Sequence, residues 1–216
     1  PDRPPALLRM RLYRLRFTDL ETWRRTGAFW KREDIGDYAP MLYVSPSGRV
    51  ERAVTVLDVE RAKAEAGNPE SQAHLGFMFA TGRGASKQPT EARRWFRRAA
   101  EQGVAEAQYN LGVMVAEGAG GPADAAEAVP WFQRAAEQGH RAAQFELGVC
   151  LATGEGTRQD EVEAFAWFEL AAEAGHPQAR AYADTLRQRL GATGLAAAQD
   201  RRRALQALLD ARATRR

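Results

Sequence analysis

The sequence predicts a mostly α-helical protein in which helix–turn–helix units of 36 residues stack into an α/α solenoid. Three observations predict it. Leu75-Gly76, Leu111-Gly112 and Leu147-Gly148 recur at that interval, and so do Trp95-Phe96, Trp131-Phe132 and Trp167-Phe168. The small pairs Ala99-Ala100, Ala135-Ala136 and Ala171-Ala172 keep the same register, with Gly67, Gly103, Gly139 and Gly175 closing each unit.

Residues 1–57 stand outside the repeat. Within them, 39–44 and 49–57 are β-prone runs flanking Ser45-Pro46-Ser47-Gly48, which reads as a β-hairpin with a four-residue loop. Ahead of the hairpin, Trp23, Phe29, Trp30, Ile35 and Tyr38 are too many large apolar groups for a solvated linker, so a small ordered extension is expected. The first five residues, three of them proline, read as extended.

The solenoid with its caps is expected over 58–190. Residues 58–67 fit the end of a preceding second helix, with Ala64-Glu65-Ala66-Gly67 in the register of Ala100-Glu101-Gln102-Gly103. In the central unit a first helix is expected over about 105–117, where Ala107, Leu111 and Val115 share one face. A glycine inside a helix costs about 1 kcal/mol against alanine. Gly112 and its counterparts bear that cost in every unit, which implies close approach of a neighbouring helix. The second helix carries Ala128, Trp131, Phe132, Ala135 and Ala136 as an apolar stripe and ends at Glu137-Gln138-Gly139. Pro130 fits there if the helix starts near Asp124 or Ala126, close to the first turn. After the third unit a helix is expected from His176 to about Leu190. A final basic capping helix, within 191–216, is expected from about Leu195, with Ala198, Leu205, Leu208 and Leu209 as its apolar side.

At these residues the chain resembles the Sel-like repeat family, a relative of the tetratricopeptide repeat. Unit two carries the signature as Ala107, Leu111-Gly112, Gly118, Gly120, Ala128, Trp131-Phe132, Ala135-Ala136-Glu137 and Gly139. Unit three repeats it from Ala143 to Gly175, and unit one departs by Ser71 in place of the first alanine. The resemblance covers about residues 67–183. It implies a right-handed solenoid and a role as an adaptor in the assembly of complexes.

The residues that could carry chemistry read better as structure. The pairs Gly82/Gly84, Gly118/Gly120 and Gly154/Gly156 lack the Gly-Lys-Ser/Thr of a phosphate loop and recur as interhelical turns. His74, His140 and His176 have no helical metal-ligand spacing and read as surface or capping residues. Cys150 is the only cysteine, which excludes an intrachain disulfide. It shares the register of Met78 and Met114 and reads as an inert helix-face position. Glu155, Asp160, Glu161 and Glu163 sit in a turn and at a helix start, where acids suit the helix dipole. The Trp-Phe pairs read as core rather than as a carbohydrate platform. No cofactor and no enzymatic activity are expected.

The leading expectation is a protein–protein interaction scaffold. The alternative is a permanent structural subunit of a larger assembly, associated with the envelope or a membrane. By analogy with tetratricopeptide repeats, Ala73, Phe77, Thr81, Tyr109, Val113, Glu117, Phe145, Val149 and Thr153 face the concave surface. Phe77, Tyr109 and Phe145 would then form an aromatic track. The other reading of these rings is core between repeats. A second expected contact is the basic start of the chain, a docking arm with Arg9, Arg11, Arg14 and Arg16 followed by Trp23 and Trp30.

Charge is uneven along the chain. Residues 1–66 hold 13 basic and 10 acidic side chains, 67–190 hold 12 and 16, and 191–216 hold 6 and 2. The expected partners are proteins, with a membrane surface as a further possibility for the arm. A net charge of +3 gives little reason to expect nucleic acid. A segment removed ahead of Pro1 would imply a periplasmic or envelope-associated protein; without one the cytoplasm is expected.

Overall fold

The computed structural model of the chain describes residues 41–44, 50–54 and 56–214. They belong to two units, Pro1–Ala62 and Lys63–Arg216. In the first, β1 (Met41–Val44) pairs antiparallel with β2 (Val50–Val54), Met41 opposite Val54 and Tyr43 opposite Arg52. The register shifts between Tyr43 and Val44. The second β-prone run is shorter than the sequence suggests. Val56 and Leu57 open a helix, α1 (Val56–Glu65), with Asp58 in its first turn and the helix formers Glu60, Arg61, Ala62, Lys63 and Ala64 behind it.

In the second unit three helix pairs follow in order. They are α2 (Pro69–Thr81) with α3 (Pro89–Glu101), α4 (Ala105–Glu117) with α5 (Ala125–Ala136), and α6 (Arg141–Thr153) with α7 (Glu161–Glu173). Each Leu-Gly helix packs on the Trp-Phe helix after it, and each Trp-Phe helix on the next Leu-Gly helix where one follows. Polar side chains start several of these helices. The Asn68 side chain accepts the Ser71 N–H at 2.7 Å, and Asp124 and Asp160 accept the N–H groups of Glu127 and Glu163 at 2.9 Å. At the far end of α4, Gly118 adopts φ +74°, the left-handed cap that glycine takes without a steric penalty. Helix α5 begins at Ala125 and continues through Pro130 without a break, so the proline is a little past the first turn.

Between the helices of each pair lies a buried apolar core. Leu75, Leu111, Ala92, Ala128, Ala164 and Phe168 are fully buried. Beside this core runs a repeated amide contact. The Nε2 of Gln72, Gln108 and Gln144 donates to the carbonyl of Ala64, Ala100 and Ala136, at 3.0, 3.0 and 3.3 Å. Ala64 thus takes the place that Ala100 holds one unit later.

Beyond α7 the pattern changes. Helix α8 spans Ala179–Arg189, starting three residues after His176 because Pro177 and Gln178 form a turn first. The final helix, α9 (Gly191–Ala213), begins four residues earlier than the sequence suggests. It packs chiefly on α7. Arg201 pairs with Glu163, Arg202 with Glu173 at 2.8 Å, and Arg212 with Glu137 at 2.9 Å. Ala198 and Leu205 are buried as expected, but Leu208 is 41% exposed. It borders an open cleft of about 320 Å³ beside Val129, Leu151 and Trp167 rather than a closed core.

Candidate partner-binding surface

The first helices bring several of the expected contact residues together. Tyr109, Val113 and Glu117 are spaced by four along α4, so they share one face. With Glu146, Val149 and Cys150 of α6 they border a hollow of about 260 Å³, which Phe132 and Ala128 also line. Val113 and Val149 are half-buried and Glu117 is exposed. Glu155 adds a third carboxylate beside Glu117 and Glu146. Burial and then the Glu117 charge push the Glu146 carboxyl up from its ordinary range. Burial also raises the Tyr109 phenol, with Glu146, Glu106 and Glu117 adding to it. The hollow thus combines an apolar lining with surplus negative potential.

The three aromatic rings meet different fates. Phe77 is 38% exposed, with the Arg83 guanidinium 6.0 Å from its ring centre. Tyr109 is half-buried, stacked on His140 at 4.7 Å and tilted against Phe132 at 6.2 Å. Phe145 is only 6% exposed. It stacks on His176 at 4.2 Å, meets the Tyr182 ring edge-on at 5.1 Å and tilts against Phe168 at 5.6 Å. Phe145 is therefore packing between the third repeat and α8, and the rings do not form a continuous exposed track. Thr81 and Thr153 turn their hydroxyls back to the carbonyls of Phe77 and Val149. Ala73 is half-buried.

His140 caps α6 as expected, but the sequence reading did not foresee that His140 and His176 stack on Tyr109 and Phe145. His140 Nδ1 accepts the Ala143 N–H at 3.2 Å, capping α6, while its Nε2 shares a 3.0 Å hydrogen bond with Glu106. The available signal was the shared offset, since Tyr109 and Phe145 each precede their histidine by the same interval. Burial first, then the Glu146 and Glu155 charges, push the Cys150 thiol up to about 11. Such a thiol is a poor nucleophile at neutral pH. Arg9, Arg11, Arg14, Arg16, Trp23 and Trp30 lie outside the described residues.

Three consecutive matches to the Sel1 repeat family model cover residues 69–104, 105–140 and 141–176. A Sel1 repeat protein from Oxalobacter formigenes is similar in structure, at 36% identity and a TM-score of 0.53. The match covers 58% of this chain and 53% of that one. The c5321 protein, a protective antigen of uropathogenic Escherichia coli with an SLR fold, is similar at 27% identity and a TM-score of 0.53. It covers 69% of this chain and 40% of its own. The chain thus spans about half, or less, of the length of these structures. No curated relative matches it.

Proposed function

The chain belongs to the Sel1 repeat family, and from that premise we propose that it holds a partner protein in the hollow between its second and third repeats. Proteins built on this repeat are generally non-enzymatic interaction scaffolds, and this chain is read in the same way. The observation that carries the proposal is the convergence of Tyr109, Val113, Glu117 and Val149 on one hollow that Phe132 also lines. Half-buried apolar groups beside exposed carboxylates give a contact that excludes water at its centre and fixes register by charge at its rim.

The test is a pair of substitutions, Val113→Asp and Val149→Asp, in a chain used to isolate its partner from the native cell. Both side chains are half-buried at the hollow and outside the fully buried core, so the thermal midpoint should fall by only a few degrees. The protein that copurifies with the unaltered chain, identified by mass spectrometry, should be lost from the variant. Retention of that protein at an unchanged ratio would remove the hollow from the contact.

A further inference from the structure

A second site follows from a break in the amide ladder. In the first two repeats the buried glutamine is satisfied at both ends. Its Nε2 donates to a backbone carbonyl, and its Oε1 accepts a second glutamine: Gln102 Nε2 donates to Gln72 at 2.7 Å, and Gln138 Nε2 to Gln108 at 2.8 Å. The same register in the third repeat holds Ala174. Gln144 keeps its bond to the Ala136 carbonyl, but its Oε1 is buried with no hydrogen-bond partner, in a residue only 2% exposed. Buried polar atoms are nearly always paired, so this acceptor beside an open cleft calls for a donor, either a water or a group of a bound molecule.

The surroundings say which donor. Gln144 and Ala174 line one cleft of about 550 Å³ between the ends of α5 and α7 and the last turns of α9. That volume lies within the range of ligand sites. Leu170 and Leu209 supply apolar wall, and Glu137, Glu173 and Asp210 place three carboxylates in the lining against the single guanidinium of Arg212. Glu137 is paired with Arg212 and Glu173 with Arg202. The Asp210 carboxylate accepts the Gln206 amide at 2.8 Å and joins no ion pair among the described residues.

We propose that this cleft receives the side chain of an arginine carried by a partner protein, at a site distinct from the hollow of the first helices. A guanidinium is a planar fork of donors with no acceptor, so one group can serve the Gln144 oxygen and a carboxylate together. Its aliphatic stem suits the wall of Leu170 and Leu209. A lysine ammonium is more strongly hydrated and lacks the planar fork, and a neutral amide leaves Asp210 without a counter-charge.

The experiment is a titration of the ¹⁵N-labelled full chain, followed by NMR, with N-acetyl-arginine methylamide and with the lysine and glutamine equivalents. The arginine probe should give saturable shifts at the Gln144 side-chain amide, Ala174 and Leu209, with at least tenfold weaker binding for the other two. Ala174→Gln supplies the donor found at Gln102 and Gln138. Ala174 also shares the backbone conformation of Gln102, with φ and ψ of −74° and 2° against −84° and 2°. This variant should keep the spectrum of the folded chain and lose the saturable shifts. Asp210→Asn, on an exposed residue, should weaken the arginine probe at least tenfold. Absence of saturable shifts, equal binding of the glutamine probe, or undiminished binding by Ala174→Gln or Asp210→Asn would each overturn the proposal.

Discussion

Gly112 faces the ring of Phe132 so closely that a Cβ at residue 112 would lie 2.6 Å from Cε1 of that ring. Gly76 stands the same way to Phe96, and Gly148 to Phe168, at 2.6 and 2.7 Å. The two halves of the sequence signature are therefore one contact. The glycine of each Leu-Gly pair is the seat for the phenylalanine of the Trp-Phe pair that follows it.

This relationship reverses the usual effect of Gly→Ala. In a free helix the change should gain about 1 kcal/mol from propensity. In Gly112→Ala the added methyl would overlap the buried ring of Phe132, and overpacking costs about 1–3 kcal/mol. The chain should be destabilised on balance, seen as a lower urea midpoint. A midpoint equal to or above that of the unaltered chain would mean the ring can move aside.

Trp131→Ala and Leu111→Ala act on the same layer by removing volume. Leu111 is fully buried, and Trp131 is 8% exposed under the Arg134 guanidinium, which lies 4.5 Å from its ring centre. Each change should cost about 2–5 kcal/mol, the usual range for large-to-small core substitutions. An unchanged melting temperature in Trp131→Ala would show the indole to be dispensable for folding and would make it a candidate ligand platform.

Much of this architecture was legible because a repeat states its own register. The helix pairs, the close approach at the Leu-Gly pairs and the Gly118 turn all follow from residues that recur at a fixed interval. What the interval could not show was how differently equivalent residues are surrounded. Tyr109 and Phe145 share a register, yet the residue that follows one repeat later differs. Tyr182 covers Phe145, whereas Glu146 occupies the same register beside Tyr109, where the hollow opens. The orphaned oxygen of Gln144 was also written in the sequence, as Gln102, Gln138 and Ala174, but only the fold shows that these positions meet the buried glutamines. The final helix was visible as an apolar stripe; the face it packs on was not, because no repeat follows it.

Cys150 offers a direct probe of native packing, since no other thiol competes. Its thiol is pushed up to about 11, against an ordinary 9.0, mainly by burial. At pH 8 the native thiolate fraction should be about 100-fold below that of the unfolded chain. Alkylation by iodoacetamide should therefore slow by at least that factor in the folded protein relative to the chain in urea. Comparable rates in the two states would mean the α6 face opens readily.

His176 should make the array sensitive to acid. Burial first, and the Arg141 charge second, hold its imidazole below the ordinary 6.5, and its Nδ1 is buried without a hydrogen-bond partner. A lowered histidine pKa means the unfolded chain binds the proton more readily. The contribution is thus complete above about pH 6.5 and is lost as pH falls through the unfolded and then the folded value. His176→Phe keeps an aromatic ring against Phe145 and removes the titration. It should flatten the decline in thermal midpoint between about pH 7 and pH 5. An identical decline in the variant would assign the acid sensitivity to other groups.

The basic start of the chain is proposed as a second contact with the partner. Between Arg9 and Phe17, arginines alternate with Met10, Leu12, Leu15 and Phe17, and Trp23 and Trp30 follow. A purely electrostatic tether needs cations alone. Large apolar groups interleaved with them favour a protein surface that can bury both the rings and the arginine stems. An anionic membrane is the competing occupant, where each cation near the surface contributes about 1 kcal/mol. Deleting residues 1–32 should abolish assembly with the partner while the helical circular dichroism and melting temperature of 63–216 persist. Assembly at an unchanged level would remove the arm from the contact. Sedimentation of the intact chain with anionic vesicles, absent any partner and absent for the deletion, would transfer the arm to the lipid surface.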